Sequence, residues 1–176
     1  MEHSSKDLLG MMKPVSSIHH TSQSADSSYN ITLQGINGSM YFSAAFISAL
    51  NIISGSDRIG LYYHPEIPTL VMMYVTTNHI GTQPIKKSKG NPYKIYTSEW
   101  CNLLKKRFRI GIKSTFKLYI HPDLTYTTVI NGMKEKCYLI YDKTSERTDI
   151  DEFVKAEIIA ETKATMKLIE DASKNN

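Results

Sequence analysis

Two short motifs carry the residue types for acid–base chemistry. His64-Pro65-Glu66 and His121-Pro122-Asp123 each place an imidazole two residues from a carboxylate, and such a pair can pass a proton near neutral pH. No nucleophile, glycine-rich phosphate loop or metal-ligand spacing accompanies either motif. A repeated turn accounts for both, so the chain is expected not to be an enzyme. Cys101 and Cys137 lack any near partner; two buried free thiols in a reducing compartment are expected, with a disulfide left open. His3, His19 and His20 sit in a polar stretch that supplies no closed ligand set. They are read as solvated, and neither metal nor cofactor is expected.

The chemistry of binding is better represented. Of a net charge of +4, residues 84–122 contribute +9, with ten basic groups against Glu99 alone. Lys86, Lys87, Lys89, Lys94, Lys105, Lys106, Arg107, Arg109 and Lys113 are the candidate phosphate contacts, with Lys117 just beyond. Such a block can neutralise a polyanion and release its counterions. It can equally be a solvated face that keeps the protein soluble, and both readings stay open. Tyr93, Tyr96 and Trp100 interleave with it and could stack on bases. Trp100 falls on the apolar face of a predicted helix and is read as core.

The elements that must position these residues are mostly strands. Eleven tyrosines, with the β-branched residues, lean the chain that way. Residues 1–28 read as a flexible arm, with Leu8, Leu9, Met11 and Met12 as an apolar anchor. Strands follow at 29–34 and 40–42, separated by the turn Gly35-Ile36-Asn37-Gly38. Ser43 caps a helix over 44–50, Asn51 suits a left-handed end and Ile52 plugs it. Residues 58–63 alternate as a strand, two prolines force a loop over 64–68, and 69–76 reads as a strand covered on both faces. Residues 79–92 are read as a basic linker.

The pattern then restarts. Tyr93 begins a strand, Thr97 takes the cap position of Ser43, and Trp100, Leu103 and Leu104 take the helix-face positions of Phe46, Ala49 and Leu50. Phe116, Leu118 and Ile120 match Ile59, Leu61 and Tyr63. From leucine to histidine the first copy spans 14 positions and the second 17, which predicts a three-residue insertion near Lys105-Lys106-Arg107. Asn131-Gly132 predicts a hairpin. A helix is predicted over 149–172, with Ile150, Phe153, Val154, Ile158, Leu168, Ile169 and Ala172 near one stripe that Glu161 and Thr165 interrupt. The layout is therefore a first copy at 29–78, the linker, a second copy with hairpin at 93–142, and a C-terminal helix.

Gly38-Ser39-Met40-Tyr41-Phe42-Ser43, then Leu50-Asn51-Ile52, then Gly55-Ser56-Asp57-Arg58-Ile59 resembles the AbrB/SpoVT/MazE swapped-hairpin DNA-binding family. The resemblance covers residues 29–76 and, more loosely, 93–123. In that family two chains interleave hairpins into one barrel. The resemblance implies a fold that is mainly β with short helices: a duplicated swapped-hairpin-like β barrel, closed by one chain as a pseudo-dimer, plus the C-terminal helix. The sequence departs from the family in two ways. Residues 31–45 hold no basic group where the family carries arginines, and Ser43 and Thr97 stand where it usually has proline. DNA contact is thus expected to be asymmetric, through the second copy and residues 86–89.

The expected function is that of a non-enzymatic DNA-binding protein. The alternative is a structural or interaction protein of a larger assembly, such as a phage virion component, meeting a protein partner through the N-terminal arm or the C-terminal helix. No stretch reads as a signal peptide or is long enough to span a bilayer. The location expected is cytoplasmic, or inside a phage-type assembly, with no membrane partner.

Overall fold

Short aromatic and β-branched runs between turn formers favour antiparallel hairpins. The computed structural model, which describes residues 28–35, 38–87 and 93–174, is mainly β. In chain order it contains β1 (Asn30–Leu33), β2 (Ser39–Phe42), α1 (Ala44–Ala49), β3 (Arg58–Tyr63), β4 (Val71–Thr76), β5 (Thr82–Pro84) and β6 (Lys86–Lys87). Then come β7 (Tyr93–Tyr96), α2 (Ser98–Arg107), β8 (Phe116–Ile130), β9 (Met133–Tyr141) and α3 (Glu152–Lys174). The strands form one antiparallel sheet, ordered β5-β3-β4-β9-β8-β1-β2-β7-β6.

The sheet curls into a nearly closed barrel because its two end strands are consecutive pieces of one segment. β5 pairs with β3, and β6 pairs with β7. Ile85, between them, is fully buried. Its carbonyl accepts from Gly55 N (3.2 Å) and its N–H donates to Asp57 O (3.3 Å). Arg58 ties down the same segment, donating from Nε to Thr82 Oγ1 (2.7 Å) and from Nη2 to Thr82 O (2.8 Å). Residues 82–87, expected in a linker, are part of the barrel wall. Strands of three and two residues, one ending in proline, show no period to read.

The two halves have the same order and interleave. β2-α1-β3-β4 corresponds to β7-α2-β8-β9. β1 lies between β8 and β2, as β5–β6 lies between β3 and β7. Corresponding strands meet at two places, β2 with β7 (Met40↔Ile95) and β4 with β9 (Met73↔Tyr138). The element standing where β1 stands in the first half is therefore β5–β6, upstream of Tyr93.

Both short helices begin and end alike. Ser43 Oγ accepts from Phe46 N, and Thr97 Oγ1 accepts from Trp100 N. At the other end Ile52 N donates to Ile47 O (3.0 Å) and Ile110 N to Lys105 O (2.8 Å). Asn51 (φ 50°) and Arg109 (φ 53°) make the left-handed turn, and Ile52 and Ile110 are buried behind it. α2 has 10 residues against 6 in α1. One extra turn of helix, offset by one position fewer from Ile110 to Phe116 than from Ile52 to Ile59, produces the three-residue difference. α2 buries Cys101, Leu104 and Lys105, and the capping residue Phe108 continues the stripe, at i, i+3, i+4 and i+7. Trp100 and Leu103, expected on that face, are only half-buried.

One core fills the barrel, with Ile31, Leu33, Met40, Phe46, Ile59 and Met73 among its members. A smaller one joins Met72, Tyr74, Cys137 and Leu139 to Ile169 of α3, so β4 is covered on both faces as its sequence predicts. A Cβ on Gly60 would lie 2.0 Å from the Tyr74 ring, so only glycine lets that ring lie flat on β3. The face of α3 is rotated from the predicted stripe. Ile158, Thr165 and Ile169 are buried, while Phe153 is 80% and Leu168 49% exposed. The polar positions that interrupt the stripe are contacts with the rest of the molecule: Thr165 Oγ1 lies 2.7 Å from Thr69 Oγ1, and Glu161 accepts from Arg109 at 3.0 Å.

Between β9 and α3, residues 142–149 form a compact turn around Arg147. Its guanidinium donates to the carboxylates of Asp142 and Asp149 and to the carbonyls of Phe108 and Arg109, and it lies over the Phe116 ring. The C-terminal end of α2 is thereby clamped to β9.

Candidate nucleic-acid interface

The fold disperses the basic block. Lys105 is a correction: it is 1% exposed and cannot reach a ligand. Its stem lies in the apolar stripe of α2, and Nζ donates to the carbonyls of Gln34 (3.0 Å), Gly35 (3.3 Å) and Ile112 (2.6 Å). Arg107 donates to Ile67 O and Pro68 O and stacks on Tyr63. Arg109 is paired with Glu157 and Glu161 of α3. Lys106 and Lys113 are exposed but lie on α2 and in the loop beyond it. Lys89 lies outside the described residues.

Lys86 and Lys94 are brought together, while Lys87, paired with Tyr93, falls on the other face of the sheet. Strand pairing aligns Lys86↔Lys94, Lys94↔Tyr41, Tyr41↔Thr32 and Thr32↔Lys117. Directly paired residues share one face of a sheet, and the neighbouring positions Ile31, Met40 and Ile95 point into the barrel core. The five residues therefore form one outward row across β6, β7, β2, β1 and β8. At about 4.8 Å per strand the row is about 19 Å long. All five are exposed or half-buried. The paired stretches, 86–87, 93–96, 39–42, 30–33 and 116–120, contain no Asp or Glu. Glu146 and Asp149 share a polar cleft with Lys117 at one end, and Asp149 is held there by Arg147.

The other end is basic and aromatic. Lys94 Nζ lies 4.6 Å from the centroid of the Tyr96 ring and 5.8 Å from that of Tyr41. A side-chain hydrogen bond with Tyr96 raises its pKa, and slight desolvation opposes this. On the opposite face Lys87 Nζ lies 5.8 Å from the Tyr93 ring. Two lysines directly opposite on adjacent strands repel each other. The fold retains Lys86↔Lys94, and two tyrosine rings flank the Lys94 ammonium.

The histidine motifs have a different task. His64 Nδ1 accepts from Glu66 N and Ile67 N, and His121 Nδ1 accepts from Asp123 N and Leu124 N. Each imidazole staples its own turn. Cys101 and Cys137 are free and buried. Burial pushes the Cys137 thiol up to about 12, Glu135 adding to the effect, and raises Cys101 as well. Among the described residues no cluster of His, Cys, Asp or Glu is arranged to hold a metal ion, and no helix is long and apolar enough to cross a membrane.

No family model, curated protein or solved structure matches the chain.

Tyr41 and Thr32 escape the sequence reading, because they belong to the first half and adjoin the lysines only through the β2–β7 and β1–β8 pairings. The available signal is the repeat itself. If the halves interleave, β2 and β7 meet, and Tyr41 comes beside Lys94.

Proposed function

We propose that this is a non-enzymatic DNA-binding protein that contacts phosphates through the outer face of β6, β7 and β2. The row Lys86–Lys94–Tyr41–Thr32–Lys117 carries this reading: cations at intervals on an open sheet face with no carboxylate in its paired stretches. In this reading the chain is a pseudo-dimer of the AbrB-like type, supported by the shared order and interleaving of its halves. The two halves bind unequally, because the lysines lie mostly in the second.

Binding of a labelled DNA, followed by anisotropy between about 50 and 200 mM salt, tests the reading. Each phosphate contact adds close to one to the slope of log affinity against log salt. The variant K86E/K94E should lose about two from that slope while its far-UV spectrum is unchanged. Salt-insensitive binding, or an unchanged slope in the variant, would move the site elsewhere.

A second reading, a component of a larger assembly, is favoured by one observation. An apolar cleft of about 280 Å³ lies between Tyr62, Tyr63 and Pro65 on one side and Leu168, Ile169 and Ala172 of α3 on the other. Co-purification of a stoichiometric partner lost on Leu168→Glu would support it.

A further inference from the structure

We propose that the β6–β7–β2 face takes single-stranded nucleic acid, with phosphates on Lys86 and Lys94 and bases stacked on Tyr96 and Tyr41. This rests on the nucleic-acid reading above and names the form of the ligand.

The dimensions of the face point to a single strand. The major groove of a duplex is about 12 Å wide and admits a helix or a two-stranded ribbon. The row crosses five strands and about 19 Å of a convex wall, so it cannot enter a groove to reach base edges. A duplex lying on it would engage the lysines alone and leave the tyrosines without a role. A single strand has free base faces at the level of its phosphates, and alternating cations and aromatic rings are the surface it needs.

The rings are placed for this. Tyr96 is 58% exposed, on β7, two residues from Lys94 and on the same face. Tyr41 sits directly across from Lys94 on β2. The ammonium between the two rings fixes a phosphate position from which a base could reach either side, and Lys86 supplies the next cation along the row. Stacking tolerates any base, so no sequence preference is expected. Nothing on the face distinguishes ribose from deoxyribose, so the shared chemistry is that of an unpaired polynucleotide.

Labelled oligothymidylate and oligouridylate of about twelve nucleotides, and a duplex of the same length, would be titrated with the full chain at one low salt concentration. Either single strand should bind at least about tenfold more tightly than the duplex. Tyr96→Ala should weaken single-strand binding about tenfold, Tyr96→Phe should restore it, and neither should change duplex binding. Because Tyr96 is mostly exposed, the alanine variant should keep the wild-type melting curve. Duplex binding as tight as single-strand binding, or a neutral Tyr96→Ala, would overturn this inference and leave phosphate binding standing. Absence of binding to all three probes would remove both.

Discussion

Lys94 and Lys105 belong to one basic block, eleven positions apart, yet the fold gives them opposite tasks. Lys94 holds its ammonium over two tyrosine rings at the surface, where an anion can replace water. Lys105 uses its three N–H donors on three carbonyls that join the end of β1 to the loop after α2. Hydrogen bonds from a buried charged group are among the stronger ones, and removing the ammonium takes a donor from three carbonyls at once. Lys105→Met should therefore lower the unfolding free energy by about 2–3 kcal/mol in a urea titration. It should leave the salt slope of DNA binding at the wild-type value. A stable Lys105→Met variant that had lost DNA binding would contradict this division of labour.

At the scale of elements, the turn around Arg147 makes its own demand. Burial disfavours the Arg147 charge, but hydrogen bonds to Asp149 and Asp142 outweigh that and raise its pKa. The bond from Arg147 is also the main reason the Asp149 carboxyl is held below the usual carboxylate range, with desolvation opposing. A carboxylate with a depressed pKa stabilises the fold fully above its unfolded value, and that contribution is lost as pH falls through the folded one. The difference in melting temperature between wild type and Asp149→Asn should thus be constant at neutral pH and shrink below about pH 4. A difference that stays constant to pH 2 would mean that the pair does not hold the turn.

This turn also shows where sequence reading stops. The caps Ser43 and Thr97, the left-handed Asn51 and the Asn131-Gly132 turn (φ 51° and 80°) are local, and each declares itself within five residues. Arg147 cannot, because its partners lie just past α2, just past β9 and beside it. β5 and β6 read as linker for a related reason: their strand character comes wholly from β3 and β7. On α3, Glu161 and Thr165 look like flaws in an apolar stripe until Arg109 and Thr69 arrive from elsewhere in the chain. Of the interface, the lysines of β6 and β7 are legible as charge. Tyr41 becomes a neighbour only when the halves interleave.

For the molecule as a whole, interleaving means that neither half has a barrel of its own. Within residues 28–78, β1 pairs with β2 and β3 with β4, but the hairpins are not neighbours in the sheet; β9 and β8 stand between β4 and β1. An isolated hairpin is marginal in water. Residues 1–78 and 79–176, made separately, should therefore each lack a cooperative melting transition and regain one when mixed, since the cut falls in the exposed turn at 77–81. Cooperative melting of either fragment alone would show that the halves are independent.

The same arrangement sets a clock during translation. β4 leaves the ribosome with six consecutive uncharged apolar residues, 70–75, and its second neighbour, β9, ends only at Tyr141. At about 5–20 residues per second, that edge waits on the order of 3–13 s beside β3 alone. A segment of this composition is prone to intermolecular pairing while it waits. The soluble yield of the protein is thus governed by how fast residues 77–141 follow, and slow codons in that interval or a shortage of chaperones would divert the nascent chain into aggregates.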